Sequence, residues 1–170
     1  CSGAVCPLAM GALGGVRRGL LTRCATRTEQ AEEVAVEPVR VSEFLYDGDP
    51  ARRASLRLVI QGLDADRLAQ TERARGSYER AIQVDATNPF AYLALARQVL
   101  DTSDSEQGLQ LLDQAAALFE AEGQRNPRVG AHLIGLRGRA FHASGRGEDA
   151  VLYLERARTL APEVWSDGYL

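Results

Sequence analysis

The chain contains no lysine. All 20 of its basic residues are arginine, set against 23 acids for a net charge of −3. A protein that grips nucleic acid carries a basic face, so this small negative balance argues against one. The arginine bias fits a GC-rich genome, or selection for bidentate contacts to carboxylate or phosphate. Composition does not choose between them. Histidine is almost missing. His132 and His142 share a helical face but stand roughly 15 Å apart by helical rise, too far for one metal. No Ser or Cys nucleophile has a plausible His partner, and the chain has neither a phosphate loop nor an H-E-x-x-H motif. We therefore expect no catalytic residue, metal, cofactor or small-molecule substrate. Long apolar runs are lacking too. The best stretch, residues 3–16 (GAVCPLAMGALGGV), is rich in glycine, ends at Arg17 and Arg18, and falls short of the 18 or so residues a spanning helix needs. It reads as a flexible tether or as a segment lying at a membrane interface.

The 170 residues suffice for one ordinary domain, or for a smaller domain with a tail. Charge places a boundary near residue 50. Residues 1–30 carry four Arg against Glu29, residues 31–50 carry six acids against Arg40, and the remainder is nearly neutral. Residues 1–50 read as a tether and linker, with Val39–Tyr46 able to dock on the start of the folded domain. Residues 51–165 read as that domain. Residues 165–170 form a tail, and Trp165 and Tyr169 are candidates to cap its open end.

What the chain has is a period. Leu58, Gly62, Ala65, Ala74, Tyr78 and Ala81 recur 34 residues on as Tyr92, Ala96, Val99, Gly108, Leu112 and Ala115. The same columns return 42 residues later as Ile134, Gly138, Phe141, Ala150, Leu154 and Ala157. The extra eight residues fall near 123–130, where they should lengthen the second unit's last helix and its loop. An offset of this size marks a stacked repeat array. Apolar spacing from residue 51 is helical, and it predicts helices at about 50–63, 66–84, 88–101, 104–120, 128–143 and 146–160. Breakers separate them, with Asp64 to Asp66 as the first. Asp49-Pro50 supplies a start signal. The expected fold is all-α, with three antiparallel hairpins over about 55–88, 89–122 and 131–164. Small residues in the columns mark close approach of the helices within a hairpin, and Tyr78, Leu112 and Leu154 should fill the space between neighbouring hairpins. Arg137 stands in a core slot, so either Leu136 takes over or Arg137 snorkels outward.

The third unit, GLRGRAFHASGRGEDAVLYLERARTLAP, resembles the second half of the tetratricopeptide repeat (TPR) pattern. Gly138, Phe141, Gly145, Ala150, Leu154, Ala157 and Pro162 stand in its slots. The second unit begins NPFAYLALARQVL in the same register. The resemblance spans residues 55–164. It implies a short right-handed solenoid that binds protein partners, with the first helix of each hairpin lining a concave groove. Carried across, that groove holds Leu56, Val59, Leu63, Phe90, Leu93, Arg97, Leu100, His132, Gly135, Arg139 and His142. Arg97 and Arg139 fall in equivalent slots. They would either present two guanidiniums to an acidic or C-terminal segment, or pair with acids such as Asp101 or Glu148. The family's carboxylate clamp uses Lys and Asn in these slots and is not implied here.

The opening Cys-Ser-Gly resembles a mature bacterial lipoprotein. That resemblance implies acylation of Cys1, a location on the periplasmic face of the outer membrane, and an adaptor or assembly role in an envelope complex. Cys6 and Cys24 would then remain as a pair, closing a loop worth about 3 kcal/mol or staying as two thiols. The alternative is a soluble scaffold or co-chaperone.

Overall fold

A computed structural model describes residues 40–46, 49–102 and 104–165. Cys1, Cys6, Cys24 and Tyr169, and the tether and anchor readings that rest on them, lie outside the described residues. A 3-10 helix, Val41–Tyr46, leads into α1 (Pro50–Arg67), α2 (Thr71–Val84), α3 (Pro89–Asp101), α4 (Ser105–Ala121), α5 (Pro127–Ala143), α6 (Gly147–Leu160) and the short α7 (Pro162–Trp165). The pairs α1/α2, α3/α4 and α5/α6 form three hairpins, and α3 and α5 join each to the one before. This is the all-α stack of hairpins that the period implies.

The first helix of every hairpin starts in the same way. Asp49, Asn88 and Asn126 cap α1, α3 and α5, accepting from the N–H of Arg52 at 2.8 Å, Phe90 at 3.1 Å and Arg128 at 2.9 Å. Pro50, Pro89 and Pro127 follow at the first turn, where a missing N–H costs nothing. The second helices lack this device in two cases: Gln70 and Arg146 make no side-chain cap.

Two boundaries differ from expectation. Asp64–Asp66 do not break the first hairpin; α1 runs on to Arg67 and the chain turns over 68–70. Asp is only a mild helix breaker, and here the turn is made by Ala69 at φ 55°. Its counterpart in the third hairpin is Gly145 at φ 79°. The eight-residue insertion is also spread more widely than its position suggests. Measured from the repeat columns, three residues extend the end of α4, one lengthens the loop, and four extend the start of α5. Growing both helices keeps α5 packed on α4.

The columns act inside the hairpins. A Cβ on Gly62 would fall within the Tyr78 ring, and one on Gly138 would meet Leu154. Tyr78 and Leu154 therefore pack across their own hairpins, where the repeat pattern alone put them between neighbours. Both readings of Arg137 are realised. Leu136 is buried, and Arg137 reaches Asp113 on α4 at 2.5 Å.

Arg52 ties three segments together. Its Nε donates to Asp85 at the end of α2, Nη1 to Glu122 after α4, and Nη2 to the Thr87 carbonyl and hydroxyl at 2.9 Å each. Burial pushes the Asp85 carboxyl up, but the Thr87 hydroxyl and the Arg52 guanidinium outweigh it and hold the group below its ordinary value. A depressed carboxyl stabilises the fold above the ordinary carboxylate pKa, and that stability is lost as pH falls through the depressed value, below about pH 4. Arg52→Met strands two carboxylates. It is expected to cost about 2 kcal/mol at pH 7, with the deficit shrinking at pH 3, as read from urea unfolding of both proteins at each pH.

Candidate functional site

The inner face of the stack carries an apolar cavity of about 230 Å³. All three first helices contribute to it. Val59 and Leu63 come from α1, Phe90, Leu93, Ala94 and Arg97 from α3, and Val129, His132 and Leu136 from α5. Their spacing of three to four residues puts each set on one helical face. Val41 of the 3-10 helix closes one side.

The residues expected in the groove divide. Leu93, Arg97 and His132 line the cavity. Phe90 touches it but is buried, held between the tilted ring of Phe44 at 4.9 Å and Phe119, T-shaped to it at 5.0 Å. Leu100 is a correction: it is buried in the second hairpin, filling the space over Gly108, where no Cβ would fit. Leu56 is likewise core. Gly135 is covered by the indole of Trp165, which also lies 6.3 Å from the His132 ring. Trp165 thus covers the third hairpin. Arg139 and His142 fall outside the cavity lining, and His142 is exposed. Among the described residues no cluster of His, Cys, Asp and Glu could hold a metal.

Of the two readings of the groove guanidiniums, presentation to a partner or pairing with acids, the structure shows pairing. Arg97 donates to Asp66 at 2.5 Å, and Arg139 donates to Asp101 at 2.6 Å. Each guanidinium reaches back to an acid near the end of the preceding first helix, so the groove is close to neutral. Asp66 also accepts from the Tyr78 hydroxyl at 2.5 Å. Burial, reinforced by that bond to Asp66, pushes the Tyr78 phenol far above its usual range and keeps it a donor. Gln98 sits alongside, donating to the Thr71 carbonyl at 2.8 Å. Asp66 is therefore a hub joining α1, α2 and α3, although its position suggests a turn residue. A signal for these pairs exists: each Asp precedes its Arg by 31 or 38 residues, one helical turn short of the local repeat offset.

Among the described residues no helix is long and apolar enough to cross a membrane. No protein-family profile matches the sequence, and no curated protein does. Solved structures do match in shape. The N-terminal domain of stress-induced protein-1 (STI-1) from C. elegans superposes with a TM-score of 0.56 at 19% identity, covering 66% of this chain and 88% of that one. The Arabidopsis OM64 TPR domain gives a TM-score of 0.54 at 21% identity, covering 66% and 87%. The described residues therefore have a TPR-like fold of three hairpins, with Trp165 packed on the third and an apolar groove on the inner face.

Proposed function

We propose that this chain is a non-catalytic docking protein that takes a segment of a protein partner in its inner groove. One observation carries the reading: an apolar cavity built jointly by the first helices of all three hairpins. Such a cavity forms only when the array is stacked, and it suits large apolar side chains presented on a peptide. Because Arg97 and Arg139 are matched by Asp66 and Asp101, recognition rests on apolar contact more than on a carboxylate clamp. The finer assignment is an adaptor or assembly factor of a bacterial envelope complex, held at the periplasmic face of the outer membrane by a lipid on Cys1. A soluble scaffold with the same groove is the second reading, supported by the shape of the STI-1 domain.

One experiment separates these. The native protein is crosslinked in membranes, partitioned in detergent, and recovered with its intact mass recorded. Leu93→Glu, in the groove, should abolish partner recovery. Val151→Glu, exposed on α6, should not. Equal recovery from both variants removes the groove from the reading. An unmodified Cys1 in the aqueous phase removes the anchor and leaves the scaffold.

A further inference from the structure

A segment from outside the hairpins packs on α1 beside the groove and supplies one of its walls. Val41–Tyr46 forms a short 3-10 helix whose Val41, Phe44 and Leu45 face the stack and pack on its core cluster, while Ser42 and Glu43 point to solvent. The apolar residues stand at positions one, four and five of the segment, one face of a helical turn. Phe44 meets Phe90 at 4.9 Å, and Val41 forms a wall of the cavity. The N–H of Glu43 donates to the carbonyl of Arg40, the residue just before the segment, at 2.9 Å. Apolar side chains make its contacts with the helices.

We propose that Val41–Tyr46 is an intramolecular cover at the edge of the groove, seated on Phe90 and walling the cavity with Val41, and that the partner is a segment of the same chemistry that displaces it. This rests on the peptide-docking reading above and specifies its ligand: an apolar turn with large side chains at positions one, four and five. Two observations favour that occupant over an anionic one. The groove guanidiniums are already matched by carboxylates, and the residue seated against Phe90 is a phenylalanine. The cavity gives a partner its advantage. It continues past Val41 to Val129 and Leu136 on α5, so a longer segment gains everything the internal turn gains and fills the remaining space as well. Only residues 47–49 separate the turn from α1. A tether that short holds the internal segment at an effective concentration in the millimolar range. Partners are then screened: the apparent affinity falls by the fraction of chains whose groove is open.

The probe is a fluorescent peptide copying residues 40–49, RVSEFLYDGD, titrated into the full chain. Phe44→Ser releases the internal turn and is expected to bind the peptide at least tenfold more tightly than the wild type. Adding Leu93→Glu should remove that binding. Equal affinity for wild type and Phe44→Ser, or no binding to a Phe44→Ser chain of native helical content, overturns the proposal. Should Phe44→Ser lose helical content, Leu45→Ser provides the same comparison with a half-buried residue. A concentration-dependent dimer of the wild type by light scattering would place the segment in a second copy and overturn the intramolecular assignment. Failure here with Leu93-dependent partner recovery intact leaves docking in place and removes only the internal competitor.

Discussion

Gly62→Val is expected to lower stability by about 3 kcal/mol and the melting temperature by roughly 10 °C. The position lies in α1 directly under the Tyr78 ring, and even a bare Cβ would overlap the ring carbons. The ring cannot retreat. Tyr78 is fully buried, and its hydroxyl is fixed to Asp66, which in turn holds Arg97. Glycine inside a helix normally costs about 1 kcal/mol relative to alanine, so replacing it would stabilise an open site. Gly76 in α2 is such a site, with nothing within 4 Å of an added Cβ. The same substitution, glycine to alanine, should therefore have opposite signs in adjacent helices: a loss at Gly62, where the clash outweighs propensity, and a gain of about 0.5 to 1 kcal/mol at Gly76. Thermal melts followed by circular dichroism decide it. A Gly62→Val protein that melts with the wild type would mean that Tyr78 is not held as the hydrogen bonds imply.

The small and large columns that make Gly62 matter were legible because they repeat. A feature that recurs at a fixed offset shows itself against the background of single residues, and so do the Asp-Pro and Asn-Pro starts of α1, α3 and α5. What does not repeat was harder to read. Asp64 and Asp66 look like a turn because aspartate favours turns, yet the turn falls three residues later at an alanine in a left-handed conformation. Only the folded stack shows why Asp66 stays helical: it collects Tyr78 and Arg97 from two other helices. Along the first helices, Leu93, Arg97 and His132 do line one cavity, while the two readings of Arg97 and Arg139 stay undecided from the sequence. The stagger between helices, which no single helix shows, brings Asp66 and Asp101 to Arg97 and Arg139 and decides for pairing. Leu100 illustrates the remaining error. Helical spacing puts it near the inner face, but Gly108 opens a hole beside it, and the leucine turns inward to fill that hole. Register alone does not say which way a side chain leans when a neighbour is small.

Trp165→Ala should be the most damaging single change at the C-terminal end, costing about 3 to 5 kcal/mol in the hairpin it covers. The indole is the largest fully buried side chain among the described residues, and it lies where a side chain on Gly135 would otherwise be. Its loss uncovers Gly135 and Leu136 of α5 together with Ala157 and Ala161 at the end of α6. The damage should stay local, because in a stacked array each unit contacts only its neighbours and stability adds up along the stack. Hydrogen exchange should accelerate across α5 and α6 while α1 and α2 keep their protection. Trp165→Phe separates packing from hydrogen bonding. The indole N–H is buried without a partner among the described residues, so removing it forfeits no bond, and a phenyl ring that keeps most of the volume should cost under about 1.5 kcal/mol. Function follows the same path. Val129, His132 and Leu136 of α5 form one wall of the groove, so loosening the third hairpin should weaken binding of an apolar segment even though Trp165 does not line the cavity. Uniform acceleration of exchange across all six long helices would show instead that the stack unfolds as one unit, with Trp165 acting on the whole array and not on its last repeat.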